Sequence, residues 1–297
     1  MSGAVLFLNE TNRCIVRQSF VYFSIQPPNR KYFVNPTLHI LFIGDIIGVP
    51  GMEMVSNFLK GLVEKHKIDF VVANGENAAD GKGIEENQVK QLFELGVHVI
   101  TGGNHTFDRW DMKKVYSSFK HLIRPLNFPK DVAGLGYTIY ELKSGVKVGV
   151  INLQGRTYMQ PIEDPFRAVE WALSKVNEQT KITFIDFHAE ATAEKMAMGW
   201  YLDGRASVVV GTHTHTPTAD ARILPRGTAY ITDVGMTGPY DSVLGMKKEI
   251  AIKRFLTQTP HKYETAVNEV RFCGVLAEVE IETGRCVKFE QLIFPSF

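Results

Sequence analysis

The stretch DFVVANGEN, residues 69–77, predicts a buried strand that ends in polar side chains. Residues 70–73 are all apolar, which is typical of a strand covered on both faces. The stretch then turns polar and closes on Gly75, Glu76 and Asn77. A carboxylate and an amide are costly to hold at the rim of a core without a partner. We therefore expect both side chains to face a polar group or an ion there.

Strand-like and helix-like segments alternate on either side of this stretch. Further strands are predicted at HILFIGD (39–45), VHVITGGNH (97–105), YTIYELK (137–143), VKVGVINL (146–153), KITFIDFH (181–188), SVVVGTHTH (207–215), TAYITDV (228–234), VLAEVEIE (275–282) and CVKFEQLIF (286–294). Helices are predicted at 50–67 and 84–96, and near 109–119, 165–178, 191–202 and 247–257. Parallel-type strands come first and antiparallel runs follow. This order predicts an α/β fold in which two packed mixed β-sheets are flanked by helices.

The first 37 residues do not follow this alternation. MSGAVLFLNE has an apolar run too short for a secretory signal, and SIQPPNRKYFVNP is broken by prolines. We expect residues 1–37 to be an N-terminal extension, either a poorly ordered tail or an artefact of an upstream start codon. The predicted domain covers residues 38–297.

The composition is that of an ordinary soluble globular protein, with 44% hydrophobic residues, 22% charged residues and a formal net charge of +1. This charge gives no electrostatic reason to expect a nucleic-acid or membrane surface. The three cysteines, Cys14, Cys273 and Cys286, form no CxxC pair, which fits a reducing cytoplasm better than a disulfide framework. No apolar run approaches the roughly 20 residues of a membrane span. We therefore expect a cytoplasmic protein.

Five predicted strands end in side chains that can bind a metal ion. They are Asp45, Glu76 with Asn77, Asn104 with His105, His188, and His213 with His215. In open α/β sheets, binding sites collect outside the carboxyl ends of the strands. We therefore expect these five ends to meet at one crevice.

Each of these signals alone has an ordinary explanation. Asp45 could cap a helix, and the GNH of residues 103–105 could be a turn. His188 could be a hydrogen-bonded core histidine, and a His-x-His pair such as His213 and His215 also arises by chance. Chance explains poorly that all of them occur at strand ends in this order.

The order resembles that of the calcineurin-like metallophosphoesterase superfamily, whose motifs are D-x-H, G-D-x-x-D, G-N-H-[DE], a lone histidine and G-H-x-H. GGNHTFD (102–108) is similar to the third motif, and GTHTH (211–215) is similar to the last. The resemblance covers the chain from about residue 38 to its end. It implies a four-layer αββα sandwich and a site for two metal ions.

The departures from the superfamily pattern point to one branch of the superfamily. Ile46 and Ile47 follow Asp45, so the histidine of D-x-H is missing, and GEN (75–77) carries glutamate where the superfamily has aspartate. Together with GDIIGVPG (44–51), these changes resemble the YmdB-like branch. Members of that branch act on cyclic nucleotides as phosphodiesterases, so the resemblance implies a small phosphodiester substrate.

The resemblance also implies which residues hold the ions. One ion takes Asp45, Glu76, Asn77 and His215, and the other takes Glu76, Asn104, His188 and His213. Glu76 bridges the two ions, and the amide oxygen of Asn77 replaces the missing imidazole. An oxygen ligand in place of a nitrogen ligand makes the first metal site chemically harder. This favours iron or manganese, although oxygen and nitrogen ligands also accept zinc.

The implied reaction is attack on phosphorus by a hydroxide that bridges the two ions. His105 is the expected general acid for the leaving oxygen, and Asp108 could orient it or be an exposed loop residue. Lys82, in the DGKG loop before a helix, could contact a phosphate or belong to a solvated loop.

Two other functions remain open from the sequence. The first is a phosphomonoesterase or nucleotidase that uses the same metal ions. The second is a regulatory scaffold whose metal ions are structural, although structural sites are closed and need no acid such as His105. The sequence leaves a homo-oligomer open as well.

Overall fold

The computed structural model describes residues 36–297, so the predicted N-terminal extension lies outside the described residues except for its last two positions. The strands are β1 (Thr37–Ile43), β2 (Phe70–Asn74), β3 (Val99–Thr101), β4 (Leu122–Ile123), β5 (Tyr137–Glu141), β6 (Lys147–Gln154), β7 (Thr183–His188), β8 (Val208–Thr212), β9 (Arg222–Ile223), β10 (Ala229–Ile231), β11 (Gly238–Pro239), β12 (Val270–Glu280) and β13 (Cys286–Phe294). The helices are α1 (Gly48–His66), α2 (Glu86–Glu94), α3 (Met112–Ser118), α4 (Pro165–Val176), α5 (Thr192–Leu202) and α6 (Lys248–Thr257). None of these helices is both long enough and apolar enough to cross a membrane.

Local sequence explains where several elements begin. Asp164 precedes α4, and its side chain accepts hydrogen bonds from the backbone N–H groups of Phe166 and Arg167, while Pro165 occupies the first turn. Glu85 and Gln88 form a reciprocal capping box at the start of α2. All residues of β2 and β8 are buried, which explains their continuous apolar runs.

The strands form two sheets, and both are mixed. The first sheet has the order β11-β12-β1-β2-β3-β4, with β13 paired to β12, and the second has the order β5-β6-β7-β8-β10-β9. Strands β1 to β4 are parallel, and so are β6, β7, β8 and β10. The predicted pair of mixed sheets is therefore confirmed. The antiparallel strands do not form a separate region, because β12 and β13 return to pair beside β1 and extend the first sheet.

The structure has four layers, namely two sheets with helices on the outer face of each. An apolar core lies between each pair of neighbouring layers. The central layer lies between the sheets and contains Phe42 and Phe184, whose ring centroids are 5.2 Å apart. An outer layer packs α1 and α2 against the first sheet, with Leu59 and Leu92 in its core. The other outer layer packs α4 and α5 against the second sheet. The helices therefore enclose the two sheets as the predicted αββα sandwich.

A buried polar network joins the carboxyl ends of strands from both sheets. Asp186 on β7 is fully buried and accepts hydrogen bonds from Asn74 on β2 (2.9 Å), Thr101 on β3 (2.5 Å) and Thr212 on β8 (2.7 Å). Asn152 on β6 donates to the Asp186 carbonyl oxygen at 3.3 Å and accepts from the Gly102 N–H at 3.1 Å. These bonds hold the strand ends of the two sheets at one place.

Candidate metal centre

The five strand ends predicted to meet lie together at this place. Two groups of potential ligand atoms each lie within 4.8 Å of one another, and both groups contain Glu76. The first group adds Asp45 and His215, and the second adds His188 and His213. Asp45, Glu76 and His188 are buried, whereas the two other histidines are half-buried. The cluster therefore has a buried floor and a more open rim.

The first group has buried oxygen atoms that lack hydrogen-bond partners. Oδ2 of Asp45 accepts from the His213 N–H at 3.1 Å, but Oδ1 of Asp45 has no partner within residues 36–297. Asn77 donates from Nδ2 to the Gly81 carbonyl oxygen at 3.0 Å, and its buried Oδ1 also lacks a partner in this range. Buried oxygens of this kind call for an ion or another polar partner. Carboxylate and amide oxygens at these positions fit a metal ion.

The second group converges on one imidazole nitrogen. Nε2 of His188 lies 2.9 Å from Oδ1 of Asn104, 3.0 Å from Nδ1 of His213 and 3.1 Å from Oε1 of Glu76. One nitrogen carries at most one proton, so it cannot donate to all three neighbours. A metal ion could take these four atoms as ligands, and the residue types suit iron, manganese or zinc.

Gly103 shows how crowded the centre is. A Cβ atom at this position would collide with Oε2 of Glu76 and with Nε2 of His188. Glycine is therefore required between Gly102 and Asn104 so that the loop can pass close to the ligands.

The charged groups of the cluster shift one another's pKa values. Burial lowers the pKa of His188, but the Glu76 and Asp45 carboxylates outweigh this effect and raise it to about 9. Burial raises the pKa of Glu76, yet the charge and hydrogen bond of His188 bring it to about 2. Burial and the charge of His188 lower the pKa of His213 to about 3. Burial also raises the pKa of Asp45 well above its usual range. The carboxylates of the centre thus favour a positive charge on His188. A bound cation would displace the proton that gives His188 this charge.

The loop that carries His213 and His215 has an unfavourable backbone conformation. Their φ angles are 100° and 63°, which non-glycine residues rarely adopt. Between them, Thr214 donates to Oδ2 of Asp233 from its N–H (3.1 Å) and its hydroxyl (2.7 Å). The same carboxylate oxygen lies 2.6 Å from Nζ of the buried Lys195. This ion pair therefore anchors the loop at its middle residue.

Other hydrogen bonds orient the imidazole rings. Nδ1 of His188 lies 3.0 Å from the Thr212 hydroxyl, which itself donates to Asp186. The hydroxyl therefore accepts from Nδ1–H of His188 and leaves Nε2 free as a ligand. Nδ1 of His215 likewise donates to the Leu244 carbonyl oxygen at 3.1 Å. Partners of this kind fix the tautomer of a metal-binding histidine.

His105 lies at the open edge of the cluster. Its backbone N–H donates to Oε2 of Glu76 at 3.1 Å, and its Nδ1 lies 2.7 Å from Oδ2 of Asp108. The His105 side chain is 23% exposed and that of Asp108 is 43% exposed. The contact leaves Nε2 of His105 free, so this nitrogen is available to a ligand.

Lys82 is not brought into the cluster. Its side chain is exposed and makes no hydrogen bond to the cluster among the described residues. The N–H groups of Gly81 and Lys82 donate to the carbonyl oxygens of Asn77 and Ala79, so they are already occupied within the loop. Contact of Lys82 with a phosphate stays a prediction, and the loop backbone offers it little support.

The residues that support the ligands were not predicted from the sequence. These are Asp186, Thr212, Asp233, Lys195 and Glu190, whose Oε2 lies 3.1 Å from Nε2 of His213. Asp186 could have been found, because it lies two residues before His188 on one strand and therefore points to the same face. Lys195 and Asp233 lie 38 residues apart, and no local pattern pairs them.

Two mixed sheets between helices, with carboxylate, amide and imidazole groups gathered at the carboxyl ends of the strands, define this protein as a metallophosphoesterase. A family model described as YmdB-like protein matches residues 41–292. The chain belongs to the YmdB-like family, as its motifs predicted.

One relative and two solved structures agree with this assignment. The chain is 48% identical over 256 residues to the 2′,3′-cyclic-nucleotide 2′-phosphodiesterase of Bacillus subtilis (strain 168), a match that covers 86% of this chain and 97% of the relative. A crystal structure of a hypothetical protein from Thermus thermophilus is 41% identical, with a TM-score of 0.79, and covers 86% of this chain and 99% of that one. A crystal structure of a novel phosphatase from Mycoplasma pneumoniae is 35% identical, with a TM-score of 0.82, and covers 88% and 94%. These matches span nearly the whole of each relative.

Proposed function

We propose that the protein is a dinuclear-metal phosphodiesterase that hydrolyses 2′,3′-cyclic nucleotides. The observation that carries the proposal is the pair of ligand groups that share Glu76. The name of the Bacillus subtilis relative supports the substrate class. The buried, free Cys273 and Cys286 fit a reducing cytoplasm.

The proposed ligand sets add Asn77 to the first group of atoms and Asn104 to the second. One ion would be held by Asp45, Glu76, Asn77 and His215, and the other would be held by Glu76, Asn104, His188 and His213. The unpartnered oxygens of Asp45 and Asn77 support the first set, and the close contacts of His188 support the second. Two divalent ions exceed the charge of the two ligand carboxylates, and this surplus suits an anionic phosphodiester. The oxygen-rich first set favours iron or manganese.

When bound, two such ions supply an activated water nucleophile and stabilise negative charge on the phosphoryl oxygens. His105 provides the proton for the leaving ribose oxygen. Nδ1–H of His105 donates to Asp108, so the acid is the doubly protonated ring, whose second proton lies on Nε2 and is directed away from Asp108. The hydrogen bond from the His105 N–H to Glu76 keeps this acid next to the carboxylate that would bind both ions.

The test combines metal analysis with substrate choice. The protein is loaded with iron or manganese without oxygen, its metal content is measured, and it is assayed with 2′,3′-cyclic AMP, 3′,5′-cyclic AMP and nucleoside monophosphates. We expect two ions per chain and the highest kcat/KM for the 2′,3′-cyclic nucleotide. Glu76→Gln should lose both ions, whereas the exposed control Glu94→Gln should keep both ions and the activity.

Three results would overturn the proposal. At most one ion per chain in the wild-type protein would remove the dinuclear centre. Faster hydrolysis of monoesters than of cyclic diesters would make the protein a phosphomonoesterase. Two tightly bound ions without hydrolysis of any phosphate ester would favour the scaffold function.

A further inference from the structure

An aromatic cleft opens directly beside His105. It has a volume of 230 Å³, and Asn104, Asp108, Phe107, Phe128 and Gln160 are among its lining residues. Asn104 is a proposed metal ligand, and Asp108 contacts the proposed general acid. The cleft therefore borders the metal centre at Asn104 and Asp108.

The chemistry of the proposed function places the nucleoside on this side. Hydrolysis of a 2′,3′-cyclic phosphate forms one P–O bond to the water oxygen and breaks one ring P–O bond. The released oxygen stays on the ribose and takes its proton from His105. The attacking water loses a proton to the solvent, and His105 regains one from the solvent. Because the leaving oxygen belongs to the ribose, the sugar must lie next to His105 and its base must lie beyond the sugar.

The side chains of the cleft suit a flat, polar-edged ring. Phe107 and Phe128 are half-buried, with ring centroids 6.1 Å apart and an angle of 40° between the rings. Phe107 is held from behind by Tyr116, at 5.5 Å between centroids. Gln160 is tied at Oε1 to Nε2 of Gln154 (2.8 Å), which leaves its own Nε2 to bond the edge of a base. The cleft therefore offers an aromatic face and a positioned amide.

We infer that this cleft binds the nucleobase of the cyclic nucleotide, with the base stacked on Phe128, and this inference rests on the proposed function. Its volume lies below the roughly 300–1,000 Å³ of pockets for drug-sized ligands, so it suits a single base. Stacking accepts any base, and one amide discriminates weakly between them. The cleft thus selects nucleotides over other phosphodiesters without selecting one base.

The test uses a conservative change that removes the ring. Phe128→Leu keeps an apolar side chain, Phe128→Tyr keeps the ring, and Phe255→Leu is a control on the exposed surface of α6. The substrates are 2′,3′-cyclic AMP and ribose 2,3-cyclic phosphate, which lacks the base. Binding of adenosine 3′-monophosphate and ribose 3-phosphate is measured by calorimetry as a readout independent of turnover.

We expect Phe128→Leu to lower kcat/KM for 2′,3′-cyclic AMP by roughly 5- to 100-fold, mainly through KM, since stacking on an aromatic ring contributes to this extent. The base-free substrate should be little affected, and Phe128→Tyr should recover nucleotide turnover. Binding of adenosine 3′-monophosphate should weaken in parallel with KM. The control should match the wild-type protein in every assay.

The outcomes separate the two proposals. If the wild-type protein hydrolyses both cyclic substrates and Phe128→Leu affects them equally or not at all, the base lies elsewhere and the proposed function stands. If the wild-type protein hydrolyses neither substrate, the proposed function fails and the inference fails with it. Equal binding of adenosine 3′-monophosphate by Phe128→Leu and the wild-type protein would also overturn the inference.

Discussion

Replacing Lys195 with methionine removes the cation of the buried ion pair that anchors the His213–His215 loop. Lys195 is 1% exposed and Asp233 is fully buried, with Nζ and Oδ2 2.6 Å apart. Methionine retains the apolar stem of lysine and can fill much of the same space. The substitution therefore tests the charge more than the packing.

The structure gives the size of the expected effect. In Lys195→Met, Asp233 keeps the hydrogen bonds from Thr214 and from the Gly235 N–H (2.8 Å), but it has no buried cation. Breaking a buried ion pair from one side costs about 3–5 kcal/mol, because the remaining charge is left uncompensated. Thr214 lies between His213 and His215, so we also expect metal affinity to fall by about 10- to 100-fold.

The assay is urea unfolding of the metal-free protein, followed by metal titration against a chelator. Lys175→Met is the matched control, because Lys175 forms an exposed pair with Glu178 and its loss should cost at most about 1 kcal/mol. The double variant Lys195→Met with Asp233→Asn has no unpaired buried charge. It should recover part of the lost unfolding free energy. Together with the two single variants it forms a double-mutant cycle, which measures the interaction free energy between Lys195 and Asp233.

One result would refute the reasoning about this pair. If Lys195→Met and Lys175→Met lowered the unfolding free energy equally and metal affinity stayed at the wild-type value, the buried pair would have no role in holding the loop. A loss of stability with unchanged metal affinity would keep the energetic argument but separate it from the ligands.

Three further substitutions test individual residues of the centre. Asn77→Ala removes a proposed ligand oxygen, so elemental analysis should find one ion weakened and the other retained; full occupancy with normal turnover would exclude the ligand role. His105→Ala should keep both ions yet slow cyclic-nucleotide hydrolysis by about 10²–10⁴-fold, with a smaller loss on a nitrophenyl diester whose leaving group needs no proton. Equal losses on both substrates would contradict an acid role. Thr212→Val removes the hydroxyl between His188 and Asp186, so chelator competition should show about 10- to 100-fold weaker metal binding. Wild-type affinity in this variant would show that the hydroxyl does not orient the ring.

The two-sheet fold and the meeting of the strand ends were predictable because each depends on local patterns. Buried parallel strands are continuously apolar, and their carboxyl ends carry the polar residues. The two-residue strands β4, β9 and β11 were not predicted, since two residues cannot show a period of two. β12 begins at Val270, five residues before the predicted start, because Arg271 interrupts the apolar pattern although it pairs with Gly238 at the sheet edge.

The support around the centre was harder to predict, for a physical reason. Lys195 directly follows Glu194 on a helix, as a surface lysine often does, and only the packing of α5 on the second sheet buries it against Asp233. The effect of a buried charge on stability depends on its partner, and here the partner lies far away in the sequence. Patterns along the chain therefore indicate which side chains could bind a metal ion. The groups that orient those side chains are brought to them only by tertiary packing.

The division of the centre between the two sheets links its assembly to the fold. Asp45, Glu76 and Asn104 follow strands of the first sheet, while His188, His213 and His215 follow or end strands of the second. Ions held by both groups would therefore cross-link the sheets at one edge, and binding to the folded state alone would stabilise it by RT ln(1 + [L]/Kd). Asp186 connects the same strand ends through Asn74, Thr101 and Thr212. Because this network consists of protein groups alone, the fold itself holds the carboxylate side and the imidazole side of the centre in register.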